Sequence, residues 1–314
     1  MARTTTSPQF ARNYGFWNQT EQQALLDAHV AIAGVGGDGF QLGQKLAMMG
    51  VQHFSVADPE VFEPENVNRV PGARTSTIGK KKAEVFKDTI LDINPDASVK
   101  VFTDGVTADN VEEWMHGATL SYDESELTYP HIGTMVAREA RRLNIPNVLV
   151  MNIGFAAQVT SFDPESRATF ERIMGFADDM PLDEVAEQKI DFSRCLPYLP
   201  TYVDLGTFKA VSKGSSLPSI APGVDQASAI GASQGFLHIV GPTSKHRPQP
   251  VWAPRFKYID SLTNKTGETR FPRISHYKHL AGMATRTALR MNTPLQYGED
   301  LQEVAFLRAP AATE

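Results

Sequence analysis

The chain has 314 residues, 41% hydrophobic and 21% charged, enough for one large core or two modest ones, which excludes a polypeptide disordered throughout. Its formal net charge of −6 gives no general attraction to nucleic-acid backbones or anionic membranes, although Lys80-Lys81-Lys82 forms a local basic patch. The N-terminal stretch MARTTTSPQFARNYG lacks the apolar core of a signal peptide, no later run approaches the roughly 20 apolar residues of a membrane span, and the single Cys195 excludes an internal disulfide, so a cytoplasmic location is expected.

In chain order, residues 1–28 read as an N-terminal arm whose helix is NQTEQQALLDA, residues 18–28. From 29 to 153, short β-rich runs alternate with amphipathic stretches, the rhythm of parallel strands joined by crossover helices. Strands are expected at His29–Gly34, Gln52–Asp58, Ser98–Thr103, Ala118–Asp123 and Asn147–Ile153, and helices at Phe40–Met49, Lys80–Ile93 and Ile132–Leu143. Ala157–Pro164 follows as a further strand. Residues 165–195 are acidic and helix-prone and 196–222 rich in Pro, Ser and Gly, so 165–222 reads as a crossover or lid segment. Gly223–Gly241 carries small apolar residues at helical spacing, suited to close packing. The remainder, 242–314, mixes the strand-like Gln249–Tyr258 with a helix around His279–Met291. The fold class expected is α/β: a Rossmann-like, doubly wound, mostly parallel sheet with flanking helices and an added C-terminal β/α region.

The first strand runs into GVGGDGF. Gly34, Gly36, Gly37 and Gly39, between a strand and a helix, make a loop whose amides can face an anion at a helix N-terminus. Asp58 closes the second strand about 20 residues on, where a carboxylate can accept hydrogen bonds from ribose hydroxyls. That pairing fits NAD, a flavin dinucleotide or ATP equally, and glycines also serve plain tight turns. Asp38 is odd inside a loop facing a dinucleotide pyrophosphate, which would meet its negative side chain, and makes better sense as a nucleotide-binding residue near magnesium and a departing pyrophosphate. Beyond Asp58 come Asn66, Arg69 and, after IGKK, Lys82. Hydride transfer needs no such cations, whereas a triphosphate attacked at its α-phosphorus needs its charge neutralised as pyrophosphate leaves.

The motifs HVAIAGVGGDGF, LAMMGVQHFSVADPEVFEPENVNR, IGKKKA, DINPDASV and PNVLVMNIGF, in this order, resemble the ThiF/MoeB/HesA-type adenylyltransferases, relatives of the ubiquitin-activating enzymes and of the threonylcarbamoyl-adenosine tRNA dehydratases. The resemblance covers roughly residues 10–165 and 218–241. It implies an ATP-binding adenylyltransferase domain over 29–241, with 242–314 as a substrate and dimer region of the same globule. It also implies that Gly34, Gly36, Gly37 and Gly39 lie along ATP, that Asp58 holds the ribose, and that Asn66 and Arg69 match the family's N-x-x-R. Lys82 then matches the helix lysine that contacts the phosphates, and Arg12 an arginine that enters the partner subunit's site in a homodimer.

The family's D-x-x-D-N is replaced here by Asp123-Glu124-Ser125-Glu126-Leu127. Asp123 keeps the first acid, and Glu126 falls at the position of the magnesium-binding aspartate, a hard oxygen donor one methylene longer. Phe192-Ser193-Arg194-Cys195 stands where many relatives carry C-x-x-C, so no zinc site is expected, and Cys195 reads either as a buried remnant or as a nucleophile for thioester formation. His53, His131, His238, His276 and His279 show no ligand spacing.

The resemblance implies that a substrate carboxylate attacks the α-phosphate of magnesium-bound ATP, giving an acyl-adenylate and pyrophosphate, with Arg69, Lys82, Arg12 and Glu126 in the catalytic roles. The carboxylate belongs to a small protein, a peptide or a small molecule. No membrane partner is expected; DNA is disfavoured, and tRNA stays open as the least favoured substrate. Two other readings stand beside this one: a nucleotide-binding interaction protein of the same fold with weakened turnover, and an NAD-dependent oxidoreductase, which leaves N-x-x-R and Lys82 unexplained.

Overall fold

The computed structural model describes residues 3–190, 196–203, 218–241, 244, 246–271, 281 and 285. Within these, eight strands form one sheet in the order β3-β2-β1-β4-β5-β6-β7-β8. Strands β1 (His29–Ala33), β2 (His53–Ala57), β3 (Ser98–Phe102), β4 (Leu120–Asp123) and β5 (Asn147–Ile153) run parallel. Three antiparallel strands then extend the sheet: β6 (Ala156–Phe162), β7 (Arg255–Asp260) and β8 (Lys265–Arg270). The sheet is mixed and mostly parallel, with helices on its faces, as expected.

Most expected elements are present, with end shifts that have local causes. Helix α1 covers Gln19–Asp27, with Asn18 and Glu21 forming a reciprocal cap. Helix α2 begins at Gly37 rather than Phe40, so the glycine motif itself supplies its first turn, with Gly36 as N-cap and Asp38 inside it. Helix α3 begins at Lys82 and runs to Ile93, because Lys80 and Lys81 are held against the preceding loop through Phe62 N–H to Lys80 O at 2.9 Å and a bridge between Val61 and Lys81. Helix α5 spans Pro130–Leu143. The acidic stretch from 165 contributes two short helices, α6 (Phe170–Met174) and α7 (Leu182–Ala186).

Two elements were not anticipated. Helix α4 (Val111–Met115) has five residues, too few for a periodic signal, and β8 reads KTGETR, a charged edge with no apolar alternation. The strand expected from Gln249 begins only at Arg255, since Pro250 and Pro254 cannot donate to a ladder. The helix expected around His279–Met291 lies, apart from Ala281 and Thr285, outside the described residues, as do Phe192–Cys195 and 204–217.

Helix α8 (Ala221–Val240) explains its own composition. It packs on α2 and across β5 and β6, and a Cβ on Gly235 would collide with the Tyr122 hydroxyl, which donates to Gly231 O at 3.0 Å. Small residues bring the helix onto the sheet. The core between α2, α3 and the sheet includes Phe40 edge-on to both Phe62 and Phe86, all fully buried; each contributes about 2 kcal/mol by apolar burial.

Candidate nucleotide site

The site is built where the strand order switches direction, beside β1, whose neighbours are β2 on one side and β4 on the other. In an open α/β sheet the crevice beyond the strand ends at such a point is where ligands bind. Each strand continues into its loop through one more backbone bond: Gly34 N–H to Ala57 O at 2.8 Å, Asp58 N–H to Phe102 O at 3.1 Å, and Glu124 N–H to Ala33 O at 2.8 Å. Gly34, Asp58 and Glu124 are thereby side by side.

Two glycines of the loop are dictated by space. Gly34 sits at φ +91°, and a Cβ there would overlap the carbonyl of Glu124; a Cβ on Gly39 would overlap the carbonyl of Gly34. Gly37 lies against Val224 of α8, and Gly36 has open space where a Cβ would be.

Asp58, 4% exposed, holds two stretches of backbone at once. Its Oδ2 accepts from Val35 N–H at 2.8 Å and its Oδ1 from Glu60 N–H at 2.9 Å, so the carboxylate both fixes the glycine loop and ties down the chain that follows β2. Burial raises its pKa, opposed by the nearby charge of Lys82. Lys82 is 6% exposed at the start of α3, where its ammonium pairs with the largely exposed Glu60. Glu60 is a partner the sequence reading missed; its place two residues after Asp58 is the only signal for it.

Asn66 is buried and its Oδ1 accepts from Glu63 N–H at 3.1 Å, closing the short 3-10 turn Pro64–Asn68. It shapes the turn that presents Arg69. The Arg69 guanidinium donates from Nη1 to Glu65 O at 3.1 Å and to Asn68 Oδ1 at 2.9 Å, and its charge bears on Asp38. Arg12 is exposed, following the short 3-10 helix Pro8–Phe10.

Three acids crowd the other side of the loop. Asp123 is 1% exposed; burial pushes its pKa up to about 6, while Ser125 donates to Oδ1 from its hydroxyl at 2.6 Å and from its backbone at 3.2 Å. Burial raises the pKa of Asp38 to about 7, although the residue keeps partial solvent access that tempers the push, and Asn152 Nδ2 donates to both its oxygens at 3.0 and 2.8 Å. Glu124 is raised by burial, then by the charges of Asp38 and Asp123, and its Oε1 is enclosed without a hydrogen-bond partner among the described residues. Glu126, by contrast, is exposed and accepts from Thr128 Oγ1 at 2.9 Å. Glu124 and Asn152 were both missed in the sequence, because nothing in local patterning says which way a side chain turns once a strand ends.

Among the described residues no three His, Cys, Asp or Glu side chains form a ready metal-binding group. Cys195, His276 and His279 lie outside those residues. His238 is a buried partner of Ser161 Oγ at 2.7 Å, and burial lowers its pKa to about 3. No described helix is long and apolar enough to cross a membrane.

The ThiF family model matches residues 10–280. The tRNA threonylcarbamoyladenosine dehydratase of Escherichia coli (strain K12) is 27% identical over 245 residues, 73% of this chain and 88% of the relative. The SAMP-activating enzyme E1 of Haloferax volcanii is 33% identical over 105 residues, which span 33% of this chain and 39% of that protein. A crystal structure of E. coli MccB with ATP superposes with a TM-score of 0.64 over 86% of this chain and 73% of that one, at 18% identity, a likeness of fold. The chain belongs to the ThiF family and is an enzyme of the ThiF adenylyltransferase type.

Proposed function

We propose that this protein uses ATP to adenylate a carboxylate. The observation that carries the reading is Lys82: a nearly buried ammonium beside Asp58, held by an exposed carboxylate it can exchange for phosphate. Lysine and arginine flanking a glycine loop suit a triphosphate, whereas a nicotinamide cofactor needs neither.

In this reading Gly34, Gly36, Gly37 and Gly39 run along the nucleotide and Asp58 holds the ribose. Arg69 and Lys82 stabilise charge on the phosphates, and Arg12 of a second copy enters the site of a homodimer. The substrate carboxylate, already ionised at neutral pH, attacks the α-phosphorus; the bond to the β-phosphate breaks and pyrophosphate departs with the electron pair. The acids fit magnesium brought in with ATP: their donors are hard oxygens, and the Glu124 Oε1 has no hydrogen-bond partner among the described residues. Asp123 and Glu124 would hold the ion, with Glu126 on the following turn as an outer carboxylate. When bound, magnesium neutralises phosphate charge.

The acyl group belongs to a small-protein or peptide C-terminus or a small-molecule acid, and passes on to a sulfur or nitrogen acceptor. A tRNA-borne carboxylate, suggested by the names of the dehydratase relatives, fits the net charge of −6 less well. The exposure of Glu126 favours one second reading, a nucleotide-binding interaction protein with weakened turnover. ATP–pyrophosphate exchange with a panel of carboxylates, beside a binding assay with NAD, tests both. Carboxylate-dependent exchange is the expected result; ATP binding without exchange supports the second reading, and NAD binding without ATP binding rejects both.

A further inference from the structure

An aspartate in a phosphate-binding loop presents a physical problem, and the structure contains a device that addresses it. Asn152, the penultimate residue of β5, donates from Nδ2 to both carboxylate oxygens of Asp38 at 3.0 and 2.8 Å. Its own Oδ1 accepts from Ser219 Oγ at 2.9 Å. A primary amide has one donor end and one acceptor end; the ionised Asp38 carboxylate only accepts and so fixes the orientation, and the Ser219 hydroxyl satisfies the acceptor end. Reversed, the amide would set its oxygen against the carboxylate. Ser219 is itself held from the opposite side, its carbonyl accepting from Asn68 Nδ2 at 3.0 Å, while Asn68 Oδ1 accepts from Arg69. The chain of bonds therefore runs Arg69, Asn68, Ser219, Asn152, Asp38, and it links four separate elements: the turn after β2, the residues Pro218–Ile220 that enter α8, β5, and the first turn of α2.

We propose that Asn152 is a positioning residue for nucleotide binding, which restrains the Asp38 carboxylate while its own oxygen is tied to Ser219, so that docking of Pro218–Ile220 and acceptance of the triphosphate by the glycine loop are coupled. The proposal rests on the reading of the loop as an ATP site, and adds to it a specific cause for affinity in residues that do not touch the nucleotide. Without the restraint, Asp38 is free to turn its charge toward the phosphates, and Pro218–Ile220 loses a tie to the far side of the site. The effect falls on binding: KM for ATP rises, while kcat at saturating ATP changes less.

Direct titration of the full chain with a non-hydrolysable ATP analogue at pH 8, where Asp38 carries its charge, tests this without requiring turnover. N152A is expected to weaken binding about tenfold and S219A about fivefold, the scale of losing a charge-assisted and a neutral hydrogen bond respectively. S219T, which keeps the hydroxyl, is expected to bind as the unaltered protein does. The decisive variant is D38N/N152A: with no negative charge left to restrain, binding recovers toward that of the unaltered protein, an outcome that mere loosening of the fold would not produce. Binding by N152A and S219A within twofold of the unaltered protein overturns the proposal, as does a D38N/N152A variant no better than N152A. If N152A does not fold, S219A against S219T still decides. Failure of the unaltered protein to bind the analogue overturns the proposed function and this inference together, whereas unimpaired binding by the variants overturns this inference alone.

Discussion

Beyond the parallel strands β1 and β4, Asp123 is buried and Asp38 and Glu124 partly so, and burial raises their pKa values with few cations to oppose it. In the extension that follows β6, Glu171 is fully buried, at 0% exposure, but Arg141 grips both its oxygens at 2.8 and 2.6 Å and Arg138 adds a third bond at 3.1 Å. Arg138 also caps the carbonyls of Asp178 and Met180 at 3.0 and 2.8 Å, so this acid fastens the segment around α6 and α7 to α5. Buried acid matched by cations is architecture; buried acid left unmatched stores electrostatic cost that a bound cation or a polar ligand can release.

That contrast can be broken most sharply at the cations. Lys82→Ala and Arg69→Ala are each expected to lower ATP–pyrophosphate exchange by about 10²–10³-fold while nucleotide binding falls less, the scale of removing one transition-state charge contact. Near-normal rates in either variant would remove the adenylation reading. At the matched acid, Glu171→Ala strands two arginines and is expected to cost about 3 kcal/mol of stability in denaturant titration, with ATP affinity unchanged. A fall in affinity larger than the fall in stability would erase the distinction between the regions.

Smaller effects separate the two candidate metal acids. Glu124→Gln is expected to raise the magnesium concentration needed for half-maximal exchange by about tenfold, with no loss of stability in the ligand-free protein, while Glu126→Gln changes it by about twofold or less, following the difference between an enclosed and a solvated ligand. The reverse order would return the principal role to Glu126. The smallest effect is on pH dependence. Asp38 binds its proton more tightly in the folded chain, at about 7, than in the unfolded one, so the folded state holds the extra proton between about pH 4 and 7. Stability of the ligand-free protein is therefore expected to fall as pH rises through that window, and Asp38→Asn to flatten the slope in thermal unfolding followed from pH 5 to 8. An unchanged slope would show that Asp38 is better solvated than its surroundings imply.

Much of this was legible beforehand. The short β-rich runs and amphipathic stretches between 29 and 153 marked the parallel strands and the longer helices α2, α3 and α5 to within a few residues, and GVGGDGF followed by Asp58 marked the crevice. The antiparallel extension was read only in part. Strand β6 was apolar and recognisable, but β7 is delayed by two prolines and β8 is an edge whose charges mask it.

What the sequence determined by itself, then, is the alternation that makes a parallel sheet, the glycines that let Gly34 and Gly39 approach backbone closely, and the order of acid, arginine and lysine beyond them. These are properties of neighbours along the chain, set by strand and helix periods and by steric volume. Only the tertiary structure decided that Glu124, not Glu126, is enclosed beside the glycine loop, and that Asn152 meets an aspartate 114 residues away. Past the end of a strand no period governs where a side chain turns, and its direction is set by whichever packed surface or hydrogen-bond partner the fold brings there.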